Sequence, residues 1–245
     1  MTVSAAATGA RRTRVRRAPV LAAALLVCVL PLAGCSDADS LGSVHHDDSG
    51  KGGPLSASSG TGGVSIQAPK TVPWYGSFGS FVLCARYPGD RISLRDIEYE
   101  ADVEPLEVRT YLRTVRKSQI AFGDDGSRTP ETSGFVSALG RPPKFDDLDG
   151  QAVGTFTSKI NGHLITQSCE DAADQANGYT ELFFVMKFGK EGGHVPRASI
   201  NYVSDKGPAD SGQYILDLKW AMTGCGTKIP IPGDKTTQDY CRSRE

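Results

Sequence analysis

The residues that chemistry could use are few: six cysteines, four histidines and some short acidic runs in a chain of 245 residues. A nucleophile needs a base within hydrogen-bond reach and a third group to orient that base. The serine-elbow pattern Gly-x-Ser-x-Gly is absent, and so is Ser-x-x-Lys. Cys169 has His163 as its nearest upstream imidazole, in a Gly-flanked turn of the same hairpin, from which it cannot easily reach the sulfur. Cys169 therefore reads as a disulfide cysteine. Asp146-Asp147-Leu148-Asp149-Gly150 supplies only a fragment of a calcium loop, which needs oxygen ligands at alternate positions and a distal glutamate. Asp124-Asp125-Gly126 supplies less, and both runs read as solvated loop acids. His45-His46-Asp47-Asp48 sits in a polar tract and reads as filler rather than a metal site. A copper centre of the kind held by β-sandwiches needs two histidines near its cysteine, and no histidine follows Cys225. The residues thus point to no catalytic group, metal or cofactor, and spacing alone cannot place a pair of facing carboxylates.

The elements that must position these residues are strands. Tyr214, Leu216, Leu218, Trp220 and Met222 alternate with Ile215, Asp217, Lys219 and Ala221, the pattern of a half-buried strand. Leu182, Phe184, Met186 and Phe188 repeat it opposite Glu181 and Lys187, and Ala198, Ile200 and Tyr202 do so again. Leu106, Val108, Thr110 and Leu112 alternate with Glu107, Arg109, Tyr111 and Arg113. Between Arg91 and Val103 the apolar parity shifts by one, which predicts a β-bulge near Arg95-Asp96. Ser80–Cys84 and Gly162–Thr166 add short strands, and 171–176 has room for one helical turn. Seven or eight short strands between Gly/Pro turns predict an all-β, antiparallel β-sandwich, immunoglobulin-like in plan, over residues 64–245. Its four cysteines, Cys84, Cys169, Cys225 and Cys241, read as two disulfides. If the first and last strands share a sheet edge, Cys84 pairs with Cys225 and Cys169 with Cys241. The rival, Cys84–Cys169 with Cys225–Cys241, closes a short terminal loop. None of the four has zinc-site spacing.

Before this domain the composition changes twice. Residues 1–34 carry Arg11, Arg12, Arg14, Arg16 and Arg17, then an apolar run from Ala18 to Gly34, the plan of a secretory signal. The run is shorter than the about 20 residues a spanning helix needs. Its end, Leu32-Ala33-Gly34-Cys35, resembles the lipobox of bacterial lipoproteins. That resemblance implies cleavage before Cys35, a lipid on its sulfur and retention at the cell membrane, on the extracytoplasmic face. Acyl chains contribute about 0.8 kcal/mol per buried CH₂, so two or three anchor stably. Ser36 is not the acidic residue that favours inner-membrane retention in a two-membrane cell. Residues 35–63 are rich in Gly, Ser, Asp and Ala and read as a flexible tether with a reach of roughly 30 Å. The chain has 27 basic and 28 acidic residues, and the five arginines that leave with the signal make the exported part acidic by six charges. That balance argues against nucleic acid as a partner.

The block Phe78-Gly79-Ser80-Phe81-Val82-Leu83-Cys84, the Glu181-Leu182 strand and the closing Thr223-Gly224-Cys225-Gly226 resemble a loose group of small exported bacterial β-domains without an assigned activity. Leu164 to Cys169 is similar to the strand before the catalytic cysteine of sortases, but it ends Ser168-Cys169 where that family has Thr-Cys, and no arginine follows at short range. Trp74, Tyr75, Phe78, Phe81 and Tyr87 cluster where the tether meets the domain. An exposed Trp74 and Tyr75 would suit a sugar or a protein surface. The Gly/Pro/Asp-rich stretch from Phe122 to Gly150 is the best place for a binding loop. The expected function is a lipid-anchored binding or scaffolding module without catalysis, with an envelope protein or cell-wall glycan as partner. The alternative is an envelope enzyme using Cys169 or loop carboxylates.

Overall fold

The structure, a computed structural model, describes residues 45–48, 53–57, 62–134, 136–146, 152–173, 177–206, 212–229 and 241. They belong to a compact unit spanning 40–245. Fifteen strands are present among them. The first eight are β1 (His45–Asp48), β2 (Leu55–Ala57), β3 (Gly62–Ile66), β4 (Trp74–Ala85), β5 (Ile92–Glu100), β6 (Glu107–Arg116), β7 (Ser137–Arg141) and β8 (Lys144–Phe145). The others are β9 (Thr155–Thr157), β10 (Leu164–Ile165), β11 (Gly178–Phe188), β12 (Gly193–Val195), β13 (Arg197–Ser204), β14 (Gln213–Leu218) and β15 (Trp220–Gly224). One α-helical turn, α1 (Cys169–Ala173), and two 3-10 turns, Lys117–Gln119 and Pro130–Thr132, interrupt them.

The strands form sheets in the orders β1-β14-β13-β5-β10, β8-β7-β4-β11-β6-β9 with β2 added on β4, and β12-β15-β3. All pairings are antiparallel except β1 on β14 and β3 on β15. The fold is therefore the expected all-β sandwich, with more strands than the seven or eight read from periodicity. Its sheets of five, seven and three strands differ from the four-plus-three division of an immunoglobulin constant domain. Between the first two sheets lies one core. Ile92, Leu94, Ile200, Tyr202, Tyr214 and Leu216 come from one side, and Phe78, Phe81, Leu83, Leu112, Leu182 and Phe184 from the other.

Alternation places these residues, and two bulges correct its phase. In β5, Asp96 faces Asn201 and Leu94 faces Tyr202, so Arg95 is the extra residue that the parity shift predicted. In β4 the inner face passes from Trp74, Gly76 and Phe78 to Phe81, Leu83 and Ala85. Here Phe184 faces Phe78 while Leu182 faces Phe81, which puts two β4 residues against one of β11. The run from Tyr214 to Met222, read as one strand, breaks at Lys219, and its second half pairs in a different sheet.

Two expectations are corrected. The stretch before residue 64 is not all tether: β1 adds to β14, and β2 adds to β4 with Leu55 and Ala57 buried in the core. Leu55 is the physical reason, since a leucine that reaches apolar surface contributes about 1.5–3 kcal/mol on burial. The disulfides follow the rival pairing, Cys84–Cys169 and Cys225–Cys241. Ala85 bridges Ser168, which delivers Cys169 to the end of β4 rather than to the C-terminal segment. Residues 1–44, with Cys35 and the lipobox, lie outside the described residues, as do most of 35–63.

Candidate functional site

β11 is buried on both faces. Leu182, Phe184, Met186 and Phe188 fill the core, while Tyr179, Glu181, Phe183 and Val185 point the other way and are also covered. The cover is the segment between β6 and β11. A buried charge survives only when it is paired and hydrogen-bonded, and the two charges on this face are paired with each other. Arg113 of β6 lies opposite Glu181 of β11 in register, its Nη1 2.7 Å from Glu181 Oε1, with both side chains fully buried. The rest of the guanidinium fork goes to backbone. Nε donates to the carbonyl of Val153 at 2.6 Å, Nη1 to that of Ser133 at 3.0 Å, and Nη2 to that of Glu131. Arg113 also lies over the Tyr179 ring at 5.8 Å, and the Tyr179 hydroxyl donates to the carbonyl of Thr132 at 2.8 Å. Burial, and then the charge of Glu181, push the Tyr179 hydroxyl pKa far up, so it remains a donor.

This clamp carries a small hairpin. Thr132 Oγ1 donates to the carbonyl of Ala121 at 3.1 Å, and the Thr129 amide to the same carbonyl at 3.0 Å. Phe122 bridges Arg128, and Asp125 closes the turn by accepting from the Ser127 amide at 2.9 Å and its hydroxyl at 2.6 Å. Those two bonds, the hydroxyl first, hold the Asp125 carboxyl below the usual carboxylate range. Phe122 is 57% exposed. The loop chosen from composition is thus ordered along its first part and tied to the sheet below.

A groove of about 630 Å³ opens beside the root of this loop, lined by Arg116, Lys117, Gln167, Asp171, Asn177 and Thr180 among others. Its walls are held internally. Gln167 Nε2 donates to the carbonyl of Gly178 at 2.6 Å and Lys117 Nζ to Asn177 Oδ1 at 3.0 Å. Ser168 caps α1, accepting from the Asp171 amide and donating to its carboxylate at 2.7 Å. Under the groove, Cys84, Val82, Val115, Ala172 and Tyr179 form a second apolar cluster, which Cys169 joins.

The remaining residues singled out from sequence are placed as follows. Trp74 is no exposed platform: it is buried, its ring 4.6 Å from that of Phe188. Tyr75 is half-buried, with Arg141 at 5.1 Å and Lys187 at 5.8 Å from its ring, so it offers a cation-flanked edge rather than a bare aromatic face. Cys169 is bonded to Cys84 and holds no thiol for catalysis. Of the 146–150 acidic run, 147–150 lie outside the described residues. No group of three or more His, Cys, Asp or Glu among the described residues could hold a metal ion.

One arrangement was not read from the sequence. His194 Nδ1 lies 2.9 Å from Thr223 Oγ1, and its Nε2 lies 3.7 Å from Asp102 Oδ2. The order hydroxyl, imidazole, carboxylate is that of a nucleophilic triad. Its geometry gives it a different use. His194 and Thr223 are both buried, which closes the hydroxyl off from solvent. His194 joins β12 to the 102–103 segment, exchanging backbone hydrogen bonds with Val103. Residues 194 and 223 are cross-strand partners, a pairing that only sheet register could have revealed.

Compared with known proteins, the chain matches no family model, no curated protein and no solved structure.

Proposed function

We propose that the chain is a lipid-anchored, extracytoplasmic binding or scaffolding module of the bacterial cell envelope, and that it is not a catalyst. The observation that carries the binding part is the Arg113 clamp: one buried guanidinium holds three backbone carbonyls of a surface loop. Recognition surfaces gain affinity when their loops are ordered before the partner arrives. The groove at the root of that loop offers hydroxyls, amides and the cations Arg116 and Lys117. That set suits a hydroxylated, anionic chain such as a cell-wall glycan. Phe122, exposed on the loop, suits an envelope protein. The address rests on the sequence, on the lipobox ending at Cys35 and the two disulfides of an oxidising compartment.

The test is co-sedimentation of the exported chain with purified insoluble wall material, alongside an Arg116→Ala/Lys117→Ala variant. Binding that the double variant reduces about tenfold or more supports the groove as the glycan site. Equal sedimentation of both proteins removes the groove from the reading and leaves the loop tip.

A further inference from the structure

We infer that the outer edge of β14 is an acceptor site for an extended peptide segment, occupied in this structure by the chain's own His45–Asp48. β1 runs parallel to β14, His45 opposite Tyr214 through Asp48 opposite Asp217, and it is the terminal strand of its sheet. Four consecutive pairs join it to one neighbour. Parallel pairing is slightly weaker per residue than antiparallel, and aspartate, half of this segment, is depleted in strands. The next attachment along the chain is of another kind. Leu55 and Ala57 of β2 are buried in the core, the Leu55 amide meets the Tyr202 hydroxyl at 3.4 Å, and the Arg86 amide donates to the Pro54 carbonyl at 2.8 Å. β1 can therefore part from the sheet while β2 keeps the core closed.

β14 does not depend on β1 for its own order. It pairs with β13 from Val203↔Gln213 to Ala198↔Leu218, and Tyr214, Leu216 and Leu218 are buried beneath it. The Tyr214 and Tyr202 rings stack at 5.3 Å. Departure of β1 leaves a formed strand with a row of backbone N–H and C=O groups facing out. Such an edge binds an extended peptide through main-chain hydrogen bonds. The occupant is thus defined by its backbone: a polypeptide running parallel to β14, as His45–Asp48 does. This inference concerns a different surface from the clamped loop and stands apart from the lipid anchor.

The test uses the full chain as exported, with a His45→Pro/Asp47→Pro variant that removes the two β1 amides facing β14 in this register. Amide exchange followed by NMR is expected to speed up about tenfold or more within Ile215–Asp217, as at a locally opened edge, with Ile200 and Tyr202 unchanged. A synthetic peptide of sequence Ser43–Gly50, at millimolar concentration, is expected to restore the protection. Loss of protection that spreads through β13, or none regained with the peptide, overturns the inference. Should the variant not fold, the labelled peptide is added to the unmodified chain. Faster exchange at the chain's own His45–Asp48 supports the site, and no change there at saturating peptide overturns it.

Discussion

Arg113 and Glu181 face each other across β6 and β11, 2.7 Å apart and fully buried, on the side of the sheet that points away from the core. A charged pair in that position is a weak source of net stability. Its effect here is positional. The guanidinium has five donors in a fixed fork, and one goes to Glu181 while others reach carbonyls at 131, 133 and 153. The pair converts a long connection into a layer of the structure.

Breaking the pair from one side leaves a buried charge. Arg113→Met is expected to cost about 3–5 kcal/mol and to make the 131–153 segment sensitive to protease. Urea denaturation with limited proteolysis checks both. Arg113→Met/Glu181→Leu is expected to regain part of the stability and none of the protease resistance, because the carbonyls still lack their donor.

Leu55 separates a tether from a domain. Leu55→Ala is expected to destabilise by about 2–5 kcal/mol, the range for a buried leucine, where a tether residue would give nothing measurable. A denaturant midpoint shift with unchanged slope is the readout.

His163 gives the fold a mild acid sensitivity. Burial holds its imidazole below the usual histidine range, so the unfolded chain binds this proton more readily than the folded one. Its contribution to stability is full above the unfolded value of about 6.5 and is lost as pH falls from there towards the lower folded value. His163→Gln is therefore expected to flatten the fall in melting temperature below about pH 6.5, measured against the parent chain across the same buffers.

Asp125 depends on Ser127. With the hydroxyl removed in Ser127→Ala, the Asp125 carboxyl is expected to titrate higher, because the stronger of its two stabilising hydrogen bonds is gone. An NMR titration of the side-chain carboxyl carbon measures this directly. An unchanged titration would mean that the amide alone sets the turn.

Much of the sandwich was legible where one face of a strand is wet. β13 and β14 alternate cleanly, and the parity slip at Arg95 gave away its bulge. β11 was misread for the opposite reason: Glu181 and Arg113 look like solvent-facing charges, and nothing in a period of two says that a loop returns to cover them. Leu55-Ser56-Ala57 is too short to show a period and stands among Gly and Ser. Cysteine pairing depended on which strand end meets α1, and the His194–Thr223 contact on register. Both are relationships between distant segments, and local pattern carries neither.

The central claim is that an anchored module presents the clamped loop to an envelope partner. A photo-crosslinking residue in place of Phe122, in living cells, tests it most directly, with Cys35→Ala and Arg113→Met chains as controls. The account predicts a discrete adduct that Cys35→Ala abolishes by releasing the protein and Arg113→Met weakens by freeing the loop. No adduct from the parent chain, or the same adduct from all three, would contradict it.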